Sequence, residues 1–170
     1  MTDQDNIVAR VEEAANALPF ASLLASGKAT STIKGIFGTL GHSLGYKVLC
    51  NRSHYPNADD GEWMYDMVWY VGTKSNGEEI FSRMPLVMES EIQRSAKARD
   101  EIDGDFQKLV QARAAIRVWI CTSPSSARSH IDNCKRQIKM FSGTMSGDSY
   151  VFAVFDWTSS KLLVEAFIVP

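Results

Sequence analysis

The chain has 170 residues, of which 45% are apolar and 22% are charged. That length suits one domain, and that composition excludes an intrinsically disordered chain because enough apolar surface is available to form a core. The formal net charge of −2 excludes a strongly basic protein, so an anionic partner would have to be held by a local patch of the surface. We expect residues 1–170 to form a single domain.

The cysteines and histidines are few and scattered. Cys50, Cys121 and Cys134 are odd in number and lack the spacing of metal ligands, which is typical of a reducing compartment. The three histidines are also spread along the chain, which argues against a zinc site. No apolar run approaches the roughly 20 residues of a membrane helix, and the polar start MTDQDN does not resemble a signal peptide. We therefore expect a cytoplasmic protein with no membrane partner.

The first half of the chain predicts two helices. Apolar residues at helical spacing over 5–18 predict the first helix, which Pro19 ends. The small and polar stretch 25–32 predicts a loop, and a second apolar stripe predicts a helix over 31–44.

Three glycines interrupt the second predicted helix. Gly35, Gly38 and Gly41 each lower its intrinsic stability by about 1 kcal/mol relative to alanine. Their small size predicts that another backbone approaches this helix closely.

Strand-forming residues and turn signals predict the rest of the fold. The remaining elements are strands 46–50, 62–71 and 85–93, a helix within 95–115, a strand 116–121, a helix 126–141, and strands 150–157 and 162–169. The connection 72–79 contains the turn signal Ser75-Asn76-Gly77 and is longer than a tight hairpin. The order α-α-β-β-β-α-β-α-β-β predicts an α/β fold with a mixed sheet and helices on both faces.

Acidic residues on two successive strands are the candidate site. Asp66 lies in the middle of an apolar strand, where an ionised carboxylate is costly to bury without a partner. Glu89 and Glu91 share one face of the next strand. If the strands pair, three carboxylates converge, and a divalent cation such as Mg²⁺ would relieve their repulsion. The alternative is a solvated edge strand with Asp66 bonded to a backbone amide, and composition alone favours that alternative.

The order of elements around these acids resembles the PD-(D/E)xK nuclease superfamily, which has the restriction-endonuclease-like fold. The segments that carry the resemblance are GYKV at 45–48, GEWMYD at 61–66, MESE at 88–91 and DFQKLVQAR at 105–113. It covers about 31–121, and its core of helix, three strands, helix and strand matches the predicted order. The resemblance implies a restriction-endonuclease-like mixed sheet flanked by helices.

The resemblance also implies roles for individual residues. Asp66 matches the first acid, Glu89 the second, and Glu91 stands where the family usually has lysine. Lys108 on the following helix is a candidate for the missing lysine, and the alternative is a solvated residue beside Asp105. Arg113 is a second candidate for a phosphate contact, and the alternative is a helix residue tied to the edge of the core.

The implied chemistry is metal-assisted hydrolysis of a phosphodiester in nucleic acid. Asp66, Glu89 and the backbone carbonyl of Ser90 would hold Mg²⁺ or Mn²⁺, while Glu91 would orient the attacking water or hold a second ion. The clustering of Asp66, Glu89 and Glu91 favours the nuclease, whereas the departure at Glu91 and the net charge favour a non-catalytic binding or assembly module built on the same fold. An unrelated α/β domain with incidental acids, and a homodimer, both stay open.

Overall fold

Helices and strands account for most of the described chain. The computed structural model describes residues 3–92, 99–124 and 126–170, so residue 93 of the third predicted strand and residues 95–98 of the helix after it lie outside the described residues. In chain order the elements are α1 (Asp3–Asn16), α2 (Phe20–Ser26), α3 (Ala29–Ser43), β1 (Lys47–Cys50), β2 (Met67–Ser75), β3 (Glu78–Glu91), α4 (Arg99–Gln111), β4 (Ile116–Ser123), α5 (Ala127–Met140), β5 (Ser149–Asp156) and β6 (Lys161–Ile168).

The strands form one mixed sheet. Their order across the sheet is β1-β2-β3-β4-β5-β6. The first three strands are antiparallel, β3-β4 and β4-β5 are parallel pairs, and β6 returns antiparallel to β5. Parallel neighbours need a long crossover, and α4 and α5 lie in the two crossovers. The predicted α/β class with a mixed sheet is confirmed.

Alternating side chains divide the core between the two faces of the sheet. Leu86 and Met88 of β3 pack on the face covered by α1, α2 and α3, while Val87 packs on the face covered by α4 and α5. This division follows from the two-residue period of a strand. The sheet is therefore buried on both faces, as its crossover helices require.

A helix occupies part of the predicted loop 25–32. α2 begins after Pro19 and buries Phe20, Leu23 and Leu24, and Gly27 ends it in the left-handed conformation with φ of 69°. α3 then begins at Ala29 instead of 31. The prediction missed α2 because a helix of seven residues is too short for a periodic pattern, and its stability comes from tertiary burial.

The second strand begins later than predicted, at Met67 instead of residue 62. Met64 has a φ of 58°, and the Tyr65 N–H donates a hydrogen bond of 2.6 Å to the Trp63 carbonyl. This tight turn interrupts the extended chain. Asp66 therefore immediately precedes β2, and the prediction that it lies in the middle of this strand is wrong.

The connection between β2 and β3 is a tight hairpin, and the prediction of a longer connection is wrong. Asn76 and Gly77 have φ values of 51° and 84° and form a two-residue turn. Two successive positive φ values are the geometry of the type I′ turn, for which Asn-Gly is the preferred pair. β2 and β3 both continue past their apolar segments, because their backbones stay paired as far as Ser75 and Glu78 on either side of the turn.

Within the described residues, none of the helices has the length and apolar character needed to cross a membrane.

Candidate active site

The candidate site lies where β2 begins and β3 ends. Met67 pairs with Met88, and the pairing of β2 with β3 ends there, so Asp66 immediately precedes β2 beside the end of β3. The backbone N–H and the hydroxyl of Ser90 each donate a hydrogen bond of 2.8 Å to Oδ2 of Asp66. Asp66 is therefore fixed against the end of β3 by two directed bonds.

A buried lysine outside the predicted site residues binds the other oxygen of Asp66. Lys34 of α3 is only 2% exposed, and its Nζ lies 2.9 Å from Asp66 Oδ1 and 3.1 Å from Glu62 Oε2. Burial alone lowers the pKa of the ammonium, but the hydrogen bond and charge of Asp66, with those of Glu62, outweigh burial and raise that pKa above 10.5. Lys34 is thus held in its charged form.

One sequence signal for Lys34 was available. The lysine falls within the helical stripe that buries Ile33, Phe37, Gly38 and Gly41. A lysine on an otherwise buried stripe needs a partner for its charge, because lysine is almost never fully buried unpaired. The sequence did not reveal that this partner is Asp66, since 31 residues separate the two along the chain.

Glu89 is buried on the face of the sheet that α4 covers. It is 4% exposed, and Nζ of Lys108 lies 3.0 Å from its Oε1. The two atoms form an ion pair, but among the described residues no well-directed hydrogen bond reaches this oxygen. Burial raises the pKa of Glu89 to about 7, with the contact to Lys108 opposing the shift and the charge of Asp66 adding to it. The buried Glu89 carboxyl therefore holds a proton more tightly than an exposed glutamate does.

Lys108 lies between the buried Glu89 and the solvent. Its side chain is 48% exposed, and Nζ also lies 2.7 Å from Asp105 Oδ1, one helical turn earlier. Burial of part of the side chain lowers its pKa, but the contacts with Asp105 and Glu89 outweigh burial and raise that pKa above 10.5. Lys108 therefore contacts Asp105, as the alternative expected, and also reaches Glu89, while its role as a catalytic lysine stays a prediction.

Glu91 and Arg113 are the other predicted residues, and their surroundings differ from those of Asp66 and Glu89. Glu91 is the last residue of β3, is partly buried and pairs in register with Cys121 of β4. Arg113 lies beyond the end of α4 and lines a cavity of about 500 Å³ together with Arg83 and Pro85 of β3. Since Arg83 and Pro85 precede Glu89 by several residues along the strand, the fold does not bring Arg113 to the acids.

The described residues do not form the expected cluster of three carboxylates. Within 3–92, 99–124 and 126–170, no group of three or more His, Cys, Asp or Glu side chains is arranged to hold a metal ion. Asp66 precedes β2 and Glu89 lies on the neighbouring strand β3, but Asp66 is bonded to Lys34 of α3 on one face of the sheet, whereas Glu89 meets Lys108 of α4 on the other face. Glu91 does not complete a set with them.

Two carboxylates and one backbone carbonyl remain from the predicted set of ligands, and each carboxylate is already paired with a lysine. Mg²⁺ is usually held by one or two carboxylates and keeps several waters. Asp66, Glu89 and the Ser90 carbonyl are donors of this hard oxygen type, but both oxygens of Asp66 already accept hydrogen bonds and Oε1 of Glu89 is paired with Lys108. Lys34 and Lys108 are the cations that neutralise these acids in the absence of an ion.

No known protein family, no curated protein and no solved structure with which the chain was compared matches it. The chemistry of the site therefore has to be argued from its own residues.

Proposed function

We propose that the protein is a metal-dependent phosphodiester hydrolase that acts on nucleic acid. The observation that carries the proposal is the position of Lys108, whose ammonium lies 3.0 Å from the buried Glu89, next along β3 to the residue that binds Asp66. In this proposal Asp66 and Glu89 are the metal ligands. Lys108 takes the role of the lysine that the family usually has at the position of Glu91.

The order of elements supports a restriction-endonuclease-like fold as part of the same proposal. The core of that fold is a helix, three strands, a helix and a strand, and α3-β1-β2-β3-α4-β4 follows this order. Asp66 immediately precedes the second of these strands, and Glu89 lies near the end of the third.

Each residue has a chemical task in the proposed reaction. A bound Mg²⁺ would supply a water of lowered pKa and stabilise negative charge on the phosphate. Lys108 is half exposed, so its ammonium is able to contact a phosphate oxygen of the substrate. Ser90 keeps Asp66 in place through its two hydrogen bonds, and Glu91 would orient the attacking water.

One observation favours a second function, a non-catalytic module that binds nucleic acid or a protein. Asp66 already has a full set of partners in Lys34 and Ser90, so its charge is compensated without a metal ion. A family member that had lost catalysis would keep such a site for stability alone.

Cleavage assays separate the two functions. We expect the wild-type protein to cut plasmid DNA, single-stranded DNA or RNA with Mg²⁺ or Mn²⁺ and to leave them intact with EDTA. Glu89→Gln is nearly isosteric and should lower the rate by roughly a thousandfold or more, because a metal ligand is worth several kcal/mol in the transition state.

Lys108→Met tests the residue that carries the proposal. We expect a loss of roughly a hundredfold or more, because a positioned donor to a charged transition state is typically worth that much. Lys139→Met removes the same charge from an exposed position on α5 and is the matched control, which should keep full activity. Wild-type protein that binds these nucleic acids and leaves all of them uncut with either metal would favour the non-catalytic module.

A further inference from the structure

A cavity of about 500 Å³ lies between the start of α1, the middle of β3 and the connection from α4 into β4. Arg83 of β3 and Arg113 after α4 line it, together with apolar side chains that include Ile7, Met84 and Ile116. Sites for small molecules usually combine an apolar wall with a few polar groups in a volume of roughly 300–1,000 Å³. The cavity therefore has the size and the lining of such a site.

The two arginines of this cavity have no partner within the part of the chain that the structure describes. Neither guanidinium forms a hydrogen bond or an ion pair with the described residues. By contrast, four other arginines each donate a hydrogen bond to an oxygen atom of the chain, namely Arg52, Arg117, Arg128 and Arg136. Among the described residues, no aspartate or glutamate lines the cavity, so two positive charges face it and no carboxylate does.

A neighbouring cavity of about 540 Å³ has a different balance of charge. Arg113 lines this cavity too, but Asp148 contributes a carboxylate to it, and Nη1 of Arg117 lies 3.1 Å from Oδ1 of Asp148. The charge of Arg117 is therefore compensated by the chain itself. In the first cavity a bound anion would be the partner that Arg83 and Arg113 lack, and it would relieve the repulsion between them.

Hydrogen bonds fix the walls of the first cavity to one another. Nε2 of Gln4 donates to the carbonyl of Ala115 over 3.3 Å and to the hydroxyl of Ser149 over 3.1 Å. The N–H of Ala115 donates to the carbonyl of Met84 over 3.0 Å. These bonds join α1, β3 and the start of β4, and a site whose walls are fixed in advance loses less entropy when a ligand binds.

We propose that this cavity binds a small phosphate monoester, with Arg83 and Arg113 at the phosphate group and the apolar wall at the organic body. A guanidinium presents a planar fork of donors that fits two oxygens of one phosphate. A phosphate monoester carries about 1.5 to 2 negative charges at pH 7, which matches two arginines better than the single charge of a carboxylate does. The inference does not depend on the proposed hydrolase, because Asp66, Glu89 and Lys108 do not line the cavity.

Titration calorimetry with EDTA present tests the site, with adenosine monophosphate, glucose 6-phosphate and inorganic phosphate as the probes. We expect at least one monoester to bind more tightly than inorganic phosphate, because its organic body contacts the apolar wall. Arg83→Met and Arg113→Met should each weaken this binding by about tenfold or more, since each removes charge-assisted hydrogen bonds. Arg113→Lys keeps the charge without the planar fork and should weaken it less.

Two controls belong to the same titrations. Arg10→Met removes an exposed arginine of α1 that does not line the cavity and should leave the affinity unchanged. Lys108→Met should also leave it unchanged, because Lys108 lies beside Glu89. Arg83 and Arg113 are exposed, so their variants should keep the melting temperature of the wild type without a ligand.

Four results would overturn the proposal. The first is a wild-type protein that binds none of the three probes, and the second is inorganic phosphate that binds as tightly as both monoesters. The third is phosphate binding that Lys108→Met weakens and the variants of Arg83 and Arg113 do not. The fourth is a 5′-phosphorylated oligonucleotide that binds more tightly than both monoesters through the same two arginines, since the phosphate would then belong to a nucleic acid.

Discussion

Glu89 combines an ionisable side chain with an almost fully buried position at the end of β3. Its pKa is raised by burial from an ordinary 4.5 to about 7, even though Lys108 lies against one oxygen. A proton therefore binds more tightly to Glu89 in the folded chain than in the unfolded chain. The stability that this group contributes is fully present below pH 4.5 and is lost as the pH rises through about 7.

The pH dependence of unfolding should reveal this carboxyl group. We expect Glu89→Gln to be more stable than the wild type at pH 8, by up to about 3 kcal/mol, because a pKa shift of one unit corresponds to 1.36 kcal/mol. The difference between the two proteins should shrink from pH 7 to pH 5. Urea unfolding at pH 5, 6, 7 and 8 with EDTA measures it. Glu13→Gln, on the exposed side of α1, is the control, and stability curves for Glu89→Gln that run parallel to the wild type would contradict the shift.

At the scale of elements, the glycines of α3 determine how closely this helix packs on the sheet. A Cβ atom at Gly41 would lie 2.6 Å from the indole Nε1 of Trp69, and one at Gly38 would lie 2.4 Å from the ring of Tyr55. Gly35 has no atom within 4 Å of such a Cβ. The close approach that the sequence predicted is therefore made by aromatic side chains, not by another backbone, and at two of the three glycines. Because α3 carries Lys34, this packing also fixes the ammonium beside Asp66.

Two glycine-to-alanine substitutions in α3 should therefore change the free energy of unfolding in opposite directions. We expect Gly41→Ala to lower the free energy of unfolding by roughly 1–3 kcal/mol, because Trp69 is fully buried and has little room to move. Gly35→Ala should raise it by about 0.5–1 kcal/mol through helix propensity alone. The midpoints of urea unfolding of the two variants and the wild type measure these changes. A stabilised Gly41→Ala protein would show that α3 is able to shift away from the sheet.

At the scale of the whole molecule, a ligand that binds only the folded chain stabilises it. If Asp66 and Glu89 hold a divalent ion, Mg²⁺ or Mn²⁺ at ten times the dissociation constant should raise the melting temperature by roughly 3–6 °C. Asp66→Ala should abolish the rise, whereas Asp132→Ala, which removes an exposed carboxylate from α5, should leave it unchanged. Differential scanning fluorimetry over a metal titration measures this. The same melting temperature with and without metal in the wild type would remove the basis for a metal site.

The sequence by itself determined the α/β class and most of the elements. Helical periodicity in α1, α3 and α5, and apolar β-branched runs in β4 and β5, are local patterns that need no knowledge of distant residues. The same local patterns selected Asp66 and Glu89, since an acid in an apolar strand conflicts with its surroundings wherever the strand is placed. Lys108 was selected through the resemblance, and its contact with Glu89 required the fold.

Only the tertiary structure decided which charges meet. The turn at Met64 places Asp66 immediately before β2, and the helix α3, which packs on this part of the sheet, supplies Lys34. Neither is visible in a local pattern, because a positive φ at a methionine and an ion pair between residues 34 and 66 depend on packing that many other residues impose. The burial of Glu89 likewise comes from α4 lying over the end of β3, and no strand pattern distinguishes it from the partly buried Glu91 two residues later. Composition and periodicity thus determine which elements form and which residues are out of place, whereas partners, burial and pKa arise from contacts between elements distant in the chain.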